Sequence, residues 1–370
     1  MTILFTCAGR RNYLIRYFKE IIGDSGRTIA VDSNPIAAAL ADADIALTVP
    51  TLNSSTYVPT LLRILEDYGV DLVIPLNDIE LPIMSANKRK LEAYGAKVII
   101  SCPDLIDICA DKWRTFIFFE DLKIPTAKSF LRIDDVLLAL DEKRINFPII
   151  LKPRWGFGSV GIEEVETEEE LRLAYRLLLI KMDKNLMASM GWNASKNQII
   201  FQEKINGEEY GIDILNDFEG NYYGAFARKK LAMRAGETDK AISAIDSRFT
   251  EIAEKIGKAT RHIGTMDCDF FVSNGKVYFL EMNPRFGGGY PFSHSAGINI
   301  PAMYLEWLKG NIDVSGYNNY KSDQVFSKHD NIVRIGDYET AVEKDVTSKR
   351  HKKNIGRNPM VFGDKEMQIP

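Results

Sequence analysis

The side chains best suited to chemistry lie in one stretch toward the C-terminal end of the chain. Glu281, Asn283 and Arg285 occupy alternate positions behind a short aromatic and apolar run, and glycines fill positions 287–289. Side chains two apart on an extended strand point to the same side, so these three polar groups share one face. Carboxylate and amide oxygens are the hard ligands that Mg²⁺ takes when nucleotide phosphates complete its coordination.

A second strand upstream would add to this cluster. Asp267 and Asp269 have the same spacing, and the Ser273-Asn274-Gly275-Lys276 segment between the two apolar runs predicts a tight turn. A hairpin here would bring Asp269 beside Glu281 and Asn283. The pattern therefore predicts a cluster of oxygen ligands on one face of a β-hairpin.

The bulk composition excludes several classes of protein. The 370 residues are 45% hydrophobic and 26% charged, which is typical of a soluble globular protein of two or three domains. A net charge of -4 argues against non-specific nucleic-acid binding. No apolar run approaches the roughly 20 residues of a membrane span, and no signal peptide is visible. We expect a cytoplasmic protein without a membrane or nucleic-acid partner.

Cysteine and histidine usage gives no sign of a zinc enzyme. The four cysteines lack CxxC spacing and read as reduced thiols. The four histidines lack zinc-ligand spacing.

The first 110 residues alternate short apolar runs with amphipathic segments. Strands are predicted at 2–6, 28–32, 71–75 and 97–101, with helices at 12–22, 55–68 and 81–94 between them. This βαβαβαβ order predicts a mostly parallel sheet with helices on both faces. Ligands of such sheets bind beyond the carboxyl ends of the strands. Three polar clusters follow strands there: Gly9-Arg10-Arg11, Asp32-Ser33-Asn34 and Asn77-Asp78-Ile79-Glu80.

A nicotinamide-binding domain is one interpretation of this region. Asp32 lies about 20 residues beyond Gly9, as a ribose-binding acid would, but only one of the three fingerprint glycines is present. Arg10 and Arg11 at a helix N-terminus could instead hold an anionic substrate group. A solvated first helical turn remains the alternative.

A new helix begins near residue 111, with Asp111 as its N-cap, and a glycine loop follows. Gly156, Gly158 and Gly161 spell GxGxxG, but the next residues, 162–165, predict another strand rather than a helix. The segment therefore resembles a hairpin flap whose backbone N–H groups could fold over phosphates, with Lys152 on the preceding strand. The alternative is a structural hairpin with a surface lysine.

Two further polar regions precede the metal-ligand cluster. Residues 199–214 predict a strand, a turn and a second strand carrying Glu203, Glu209 and Asp213. A basic run from Arg228, continued by Arg234, indicates contact with anions, with a solvated face as the alternative. Helices are predicted at 248–262 and 300–309, a strand at 331–335, an irregular insertion at 181–196 and a basic segment at 344–354.

The order of these motifs resembles the ATP-grasp superfamily, and it is most similar to the carbamoyl-phosphate-synthase-large-chain-like carboxylate–amine ligases. The resemblance covers roughly residues 1–310. It implies a mixed α/β and α+β protein, in which a parallel-sheet α/β pre-ATP-grasp domain (1–110) precedes a two-lobed ATP-grasp fold. The small lobe with the glycine flap would span 111–198, the large lobe with the Mg²⁺ and ATP site 199–312, and a C-terminal extension 313–370.

The resemblance also implies roles for particular residues. Those implied to bind ATP are Lys112, Lys152, Gly156, Gly158, Ser159, Gly161, Glu203, Lys204, Ile205 and Glu209. The implied metal ligands are Asp269, Glu281 and Asn283. Arg285 and Lys152 would act on the transferred phosphoryl group. The location of the remaining polar residues suggests substrate contacts from Arg10, Arg11, Glu80, Arg228, Arg234, Gly288 and His294.

The implied reaction uses ATP with Mg²⁺ or Mn²⁺ to convert a small-molecule carboxylate to an acyl phosphate, which an amine then attacks to form an amide. Two lysines, an arginine and bridging metals are what phosphoryl transfer needs, because it depends on positioning and charge neutralisation. A catalytically inactive nucleotide-binding protein of the same fold and an NAD(P)-dependent oxidoreductase remain the alternatives. The sequence leaves the oligomeric state open, with a homodimer among the options.

Overall fold

The computed structural model describes residues 1–156, 161–183 and 197–335. The predictions for Gly158 and Ser159, for most of the irregular insertion and for the basic segment at 344–354 lie outside these residues.

Residues 2–98 form a five-stranded parallel sheet. Its strands are β1 (Thr2–Thr6), β2 (Arg27–Asp32), β3 (Ile45–Thr48), β4 (Leu72–Pro75) and β5 (Lys97–Val98), in the order β3-β2-β1-β4-β5. The helices are α1 (Asn12–Ile22), α2 (Tyr57–Tyr68), α3 (Leu81–Ala86) and α4 (Lys88–Glu92). Phe5 packs into a core with Phe18 of α1, whereas Leu4 packs into another core with Leu61 of α2. Both faces of β1 are therefore buried, which explains its unbroken apolar run.

Local differences from the predicted elements concern short segments. β3 was not predicted, since its four residues lie at a sheet edge and only Leu47 among them is buried. The helix predicted at 81–94 is two short helices that meet at Asn87. The predicted strand at 331–335 is wrong: those residues pair with no strand in the described part of the chain.

The second sheet has four antiparallel strands in the order β6-β9-β7-β8. They are β6 (Ser129–Phe130), β7 (Ile149–Pro153), β8 (Glu163–Val165) and β9 (Ile199–Glu203). The accompanying helices are α5 (Pro103–Ala110), α6 (Lys112–Asp121), α7 (Ile133–Asp141) and α8 (Glu168–Asp183). The predicted division at residue 198 assigned β9 to the large lobe, whereas its hydrogen bonds place it in this smaller sheet. Strand partners are chosen by long-range pairing, which the local pattern does not encode.

The third sheet has six antiparallel strands in the order β14-β13-β10-β11-β12-β15. They are β10 (Glu208–Asn216), β11 (Tyr222–Arg234), β12 (Glu237–Ala244), β13 (Thr265–Ser273), β14 (Lys276–Asn283) and β15 (Val325–Ser327). The helices are α9 (Ser247–Thr260), α10 (Tyr290–Ser295) and α11 (Ile300–Leu308). The outermost strand, β15, belongs to the predicted C-terminal extension, so this segment completes the sheet.

The predicted hairpin is present as β13 and β14. Its two turn residues, Asn274 and Gly275, both have positive φ (49° and 75°), as a tight two-residue hairpin turn requires. The pairing sets Asp269 opposite Glu281 and Asp267 opposite Asn283. The turn chemistry thus places the acidic side chains of both strands together.

Packing also joins the first domain to the large lobe. Met303 and Tyr304 of α11 lie in the same buried core as Phe18 of α1 and Phe286. Within the described residues, no helix has the length and apolar character needed to span a membrane.

Candidate active site

The predicted metal ligands line one small cavity of about 200 Å³. Asp269 and Glu281 face each other across the hairpin, and Asn283 lies two residues further along β14. The side chains of Glu281 and Asn283 make no hydrogen bond to any described residue, so their oxygens are available to coordinate a metal ion. Burial and the neighbouring carboxylates raise the pKa of Asp269, although Lys230 at 2.8 Å opposes the shift.

This donor set fits Mg²⁺ or Mn²⁺ bound together with phosphates. Among the described residues, no group of three His, Cys, Asp or Glu side chains is placed to form a complete metal cage. Mg²⁺ commonly takes only one or two carboxylates and completes its shell with water and substrate phosphates. Two carboxylates and one amide oxygen match that requirement.

Two enclosed lysines lie outside the lining of this small cavity: Lys152 is buried and Lys112 is half-buried. Lys152 of β7 is only 5% exposed and donates to Gln202 Oε1 at 2.9 Å. Lys112, the first residue of α6, donates to the Gly156 carbonyl at 2.6 Å. Burial, with the charge of Lys112, lowers the pKa of Lys152 to about 8, and burial also lowers the pKa of Lys112. Neither ammonium has a carboxylate at ion-pair distance within the described residues, so both are suited to an incoming anion.

The start of α6 is fixed by a second contact. Asp111 caps the helix by accepting from the Trp113 N–H at 3.0 Å, and it also accepts two hydrogen bonds from Arg154 at 2.6 and 2.7 Å. Because Arg154 follows β7 directly, this bidentate pair holds Lys112 close to the end of the strand that carries Lys152.

A larger cavity of about 570 Å³ lies between the second and third sheets, which is a size typical of small-molecule sites. Its walls combine apolar side chains, such as Ile150 and Phe271, with a polar rim. Seven of the predicted ATP-site residues line it: Lys112, Lys152, Gly156, Glu203, Lys204, Ile205 and Glu209. Gly161 lies outside the lining. Residues 203–205, which the resemblance implied to bind ATP, lie where β9 of the four-stranded sheet leads into β10 of the six-stranded sheet.

Lys230 joins the two cavities, and the predicted site did not include it. Its ammonium lies 2.6 Å from Glu209 and 2.8 Å from Asp269, and the residue lines both cavities. Although burial opposes its charge, these carboxylates raise the pKa of Lys230 above its usual value. The sequence did contain a signal for Lys230. It lies two residues after Arg228 on β11, and this spacing puts both cations on one face of the strand.

Arg285 is held by a carboxylate from the first domain. Its guanidinium donates to Asp78 at 2.6 Å and lies 3.8 Å from Asp267. Although burial disfavours its charge, these carboxylates raise the pKa of Arg285 above its ordinary value. Asp78 is therefore a second residue that was not assigned to the predicted site, although it belongs to the polar cluster 77–80 that the sequence placed after a strand. Its pairing with Arg285 is visible only in the tertiary structure.

The buried Arg228 anchors the floor of the small cavity. It is 1% exposed and donates to Asp213 at 2.6 Å and to Asp267 at 2.7 Å. A Cβ at Gly287 would lie 2.2 Å from Asp267, and one at Gly289 would lie 2.2 Å from Arg228. The glycines thus allow the backbone to pack directly on this ion-pair network.

The predicted substrate residues divide into two groups. Arg11, Arg228 and Gly288 line the small cavity. The others do not: Arg10 is exposed, and Arg234 is half exposed and pairs with Asp239 and Asp330.

Glu80 and His294 are held in packed surroundings away from the cavity lining. Glu80 accepts from the Tyr57 hydroxyl at 2.6 Å, and burial raises its pKa to about 7. His294 stacks on Tyr17 with 3.6 Å between ring centroids, and burial lowers its pKa to about 4. The His294 ring is therefore neutral at neutral pH.

Comparison with known proteins supports this architecture. Residues 3–99 match a family model described as "PylC-like, N-terminal domain", and residues 195–330 match one described as "ATP-grasp in the biosynthetic pathway with Ter operon". The carbamoyl phosphate synthase large chain of Archaeoglobus fulgidus is 23% identical over 236 residues, which cover 60% of this chain. The match spans only 20% of that much longer relative.

Solved structures with a similar fold include biotin carboxylase from Campylobacter jejuni, with a TM-score of 0.66 and 20% identity, covering 84% of this chain and 71% of that one. L-amino acid ligase from Bacillus licheniformis gives a TM-score of 0.66 with 16% identity, covering 87% and 78% of the two chains.

The fold is that of these solved structures, and residues 195–330 match an ATP-grasp family model, in agreement with the motifs. The chain is also similar to the carbamoyl phosphate synthase large chain, and its residues 3–99 are similar to a PylC-like N-terminal domain.

Proposed function

We propose that the protein is an ATP-dependent carboxylate–amine ligase that works through an acyl phosphate. One observation carries the proposal: the larger and the smaller cavity share the wall formed by Lys230, Asp269 and Glu281. The larger cavity holds two lysines that have no carboxylate partner among the described residues, and the smaller one holds Arg285. A nucleotide in the first cavity would present its terminal phosphate to a small acid in the second.

The larger cavity would hold ATP. Its apolar walls suit the base, and the backbone at 203–205 offers donors and acceptors to the base edge. Glu209 would accept hydrogen bonds from the ribose hydroxyls while it keeps its ion pair with Lys230. Lys112 and Lys152 would meet the phosphates, because both are enclosed cations that line this cavity without a carboxylate partner among the described residues.

The smaller cavity would hold the acid. Asp269, Glu281 and Asn283 would hold Mg²⁺, which neutralises phosphate charge when bound. A carboxylate oxygen of the acid attacks the γ-phosphorus, the bond from phosphorus to the bridging oxygen of ADP breaks, and the negative charge passes to ADP. Arg285 lies where its guanidinium can stabilise the charge of the transferred group.

In the second half-reaction the amine nitrogen attacks the acyl carbon, phosphate leaves, and the amine loses a proton as the amide forms. Water would compete with the amine for the acyl phosphate, so the site must close before transfer. Gly156, which lines the larger cavity, and Gly161 both have positive φ.

The decisive experiment measures ADP release with Mg²⁺, ATP and pairs drawn from a library of small acids and amines, with mass spectrometry of the product. We expect one or more pairs to give an amide with matched ADP and phosphate. Glu281→Gln should lower kcat by about 100-fold or more through weakened Mg²⁺ binding.

The matched control is Glu219→Gln, because Glu219 lies exposed outside both cavities and its side chain makes no hydrogen bond within the described residues. It should retain wild-type turnover. Unchanged kcat in Glu281→Gln would remove the metal assignment. Tight ATP binding without turnover for any pair would replace the ligase with a non-catalytic nucleotide-binding protein.

A further inference from the structure

The charges around the small cavity are unevenly distributed. Arg228, Lys230 and Arg285 are each neutralised by at least one close carboxylate. Arg11 lines the cavity, and Lys328 contacts two of its lining residues, Glu237 and Gly288. Among the described residues, Glu237 is the one carboxylate within ion-pair distance of Arg11 and Lys328. The Arg11 Nη1 to Glu237 Oε1 distance is 3.8 Å, and the Lys328 Nζ to Glu237 Oε2 distance is 3.3 Å. Both distances exceed the 2.7–2.9 Å typical of charge-assisted hydrogen bonds.

The two cations are more enclosed than the carboxylate between them. The side chains of Arg11 and Lys328 are 18% and 23% exposed, whereas that of Glu237 is 54% exposed. Glu237 begins β12, directly after the turn that joins it to β11. It can therefore swing into solvent at little cost, and that movement would leave two largely buried positive charges side by side.

Three distant parts of the chain meet around Glu237. Arg11 precedes α1, and its Nη1 also donates to the Tyr13 hydroxyl at 2.8 Å. Lys328 follows β15, donates to the Gly288 carbonyl at 2.8 Å and lies 5.5 Å from the centre of the Phe292 ring. These contacts hold the ammonium in place independently of Glu237.

Gly288 forms the floor between the cations. A Cβ there would lie 3.0 Å from the Glu237 carboxyl carbon and 3.2 Å from Arg11 Nη1. The missing side chain lets the backbone at Gly288 pack directly against Glu237 and Arg11. Burial lowers the pKa of Lys328, with Arg11 and Arg228 adding to the shift and Glu237 opposing it. Two enclosed cations with one loosely held, half-exposed carboxylate between them form a candidate anion site.

We propose that Arg11 and Lys328 bind a second anionic group of the acid substrate, so that the substrate is a dicarboxylate or an amino acid with two carboxyl groups. This inference rests on the proposed function, in which the first carboxylate lies near Arg285 and Glu281. The cavity of about 200 Å³ has room for roughly seven waters at liquid density, which suits a small diacid. Glu237 occupies the anion position in the free protein and is displaced by the substrate. A substrate ending in an ammonium group would instead meet two cations and one carboxylate.

The test compares straight-chain diacids from malonate to adipate, and the amino diacids aspartate and glutamate, with monoacids of equal length. Binding is measured by calorimetry on the full chain with Mg²⁺ and a non-hydrolysable ATP analogue. We expect at least one diacid to bind about tenfold more tightly than its monoacid counterpart. Lys328→Met should abolish that difference, Lys328→Arg should restore most of it, and Glu237→Gln should strengthen diacid binding.

Lys321→Met is the matched control, because Lys321 is an exposed lysine of the same C-terminal segment. It should bind diacids as the wild type does. The proposal is overturned if no diacid binds better than its monoacid, or if Lys328→Met keeps the full preference. Binding of the ATP analogue to the wild type separates the proposed function from the anion site. If the analogue does not bind, the proposed function is rejected. If it binds but no diacid is preferred, only the anion site is rejected.

Discussion

At the residue scale, the charge state of Lys112 and Lys152, the lysines proposed to meet the phosphates, is the property most open to measurement. Lys152 and Lys112 are cations without carboxylate partners among the described residues, and Lys152 lies in surroundings that disfavour its charge. Bound phosphates would favour the protonated form. Nucleotide binding should therefore be coupled to proton uptake.

The first prediction concerns this coupling. Since the pKa of Lys152 in the free protein is about 8, the lysine is mostly charged at pH 7 and mostly neutral at pH 9. ATP affinity without Mg²⁺ should be nearly constant below pH 8 and fall by up to about tenfold per pH unit above it. Calorimetry between pH 6.5 and 9.5, in buffers of different ionisation enthalpy, measures both the affinity and the proton uptake.

Lys152→Met should weaken ATP binding at pH 7 by about 10- to 100-fold and flatten the pH profile. Lys258→Met is the control, since Lys258 is an exposed lysine of α9. A wild-type affinity that is equal at pH 7 and pH 9 would contradict the assignment of Lys152 to the phosphates.

At the scale of elements, the glycines at 287–289 after β14 are needed because the backbone packs closely against other residues there, and not for flexibility alone. Gly289 lies against the guanidinium of Arg228, which is itself fixed by Asp213 and Asp267. A methyl group at this position has no free volume, because the nearest atoms belong to a buried ion-pair network.

The second prediction follows from that contact. Gly289→Ala should lower the free energy of unfolding by about 1–3 kcal/mol, because the new Cβ forces Arg228 out of its place. Urea denaturation measures the change. Gly316→Ala is the matched control, since a Cβ there meets nothing within 4 Å, and it should be nearly neutral. Equal stability of the two variants would show that Arg228 can shift without cost.

At the scale of the whole molecule, the first domain contributes directly to the active site of the large lobe. Asp78 follows β4 of the parallel sheet, yet its carboxylate binds Arg285, which lies 207 positions further along the chain. The carboxyl end of the sheet, where ligands of such folds bind, therefore faces the proposed acyl site.

The third prediction tests this link. Asp78→Asn should leave Arg285 buried with a weaker partner, costing about 1–3 kcal/mol in unfolding free energy and lowering kcat more than it changes KM for ATP. Urea denaturation and steady-state kinetics measure the two effects. Asp71→Asn is not a suitable control, because Asp71 accepts from the Thr2 N–H. Asp104→Asn is suitable, since Asp104 is exposed in α5 outside both cavities.

If Asp78→Asn changed the KM for ATP while leaving kcat intact, Asp78 would act on nucleotide binding rather than on Arg285. In that case the contact between Asp78 and Arg285 in the smaller cavity would not be required for turnover.

Much of this protein could be inferred from local sequence. The alternation of Glu281, Asn283 and Arg285, and the Asn274-Gly275 turn, determine a hairpin with its polar groups on one face. The reason is that side-chain direction along a strand and the positive φ of a tight turn are properties of the chain itself. The βαβ alternation of the first 110 residues likewise predicted a parallel sheet, apart from its short edge strand β3.

The ion pairs were decided only by the tertiary structure. The positions of Lys230 between Glu209 and Asp269, of Asp78 on Arg285 and of Lys328 beside Glu237 depend on strand order and domain packing. No local pattern carries that information, because a charged side chain on a strand looks the same in sequence whether its partner is solvent or a residue 200 positions away. Spacing along the chain therefore determined which groups share a face, and the fold decided which charges are already neutralised and which remain for a substrate.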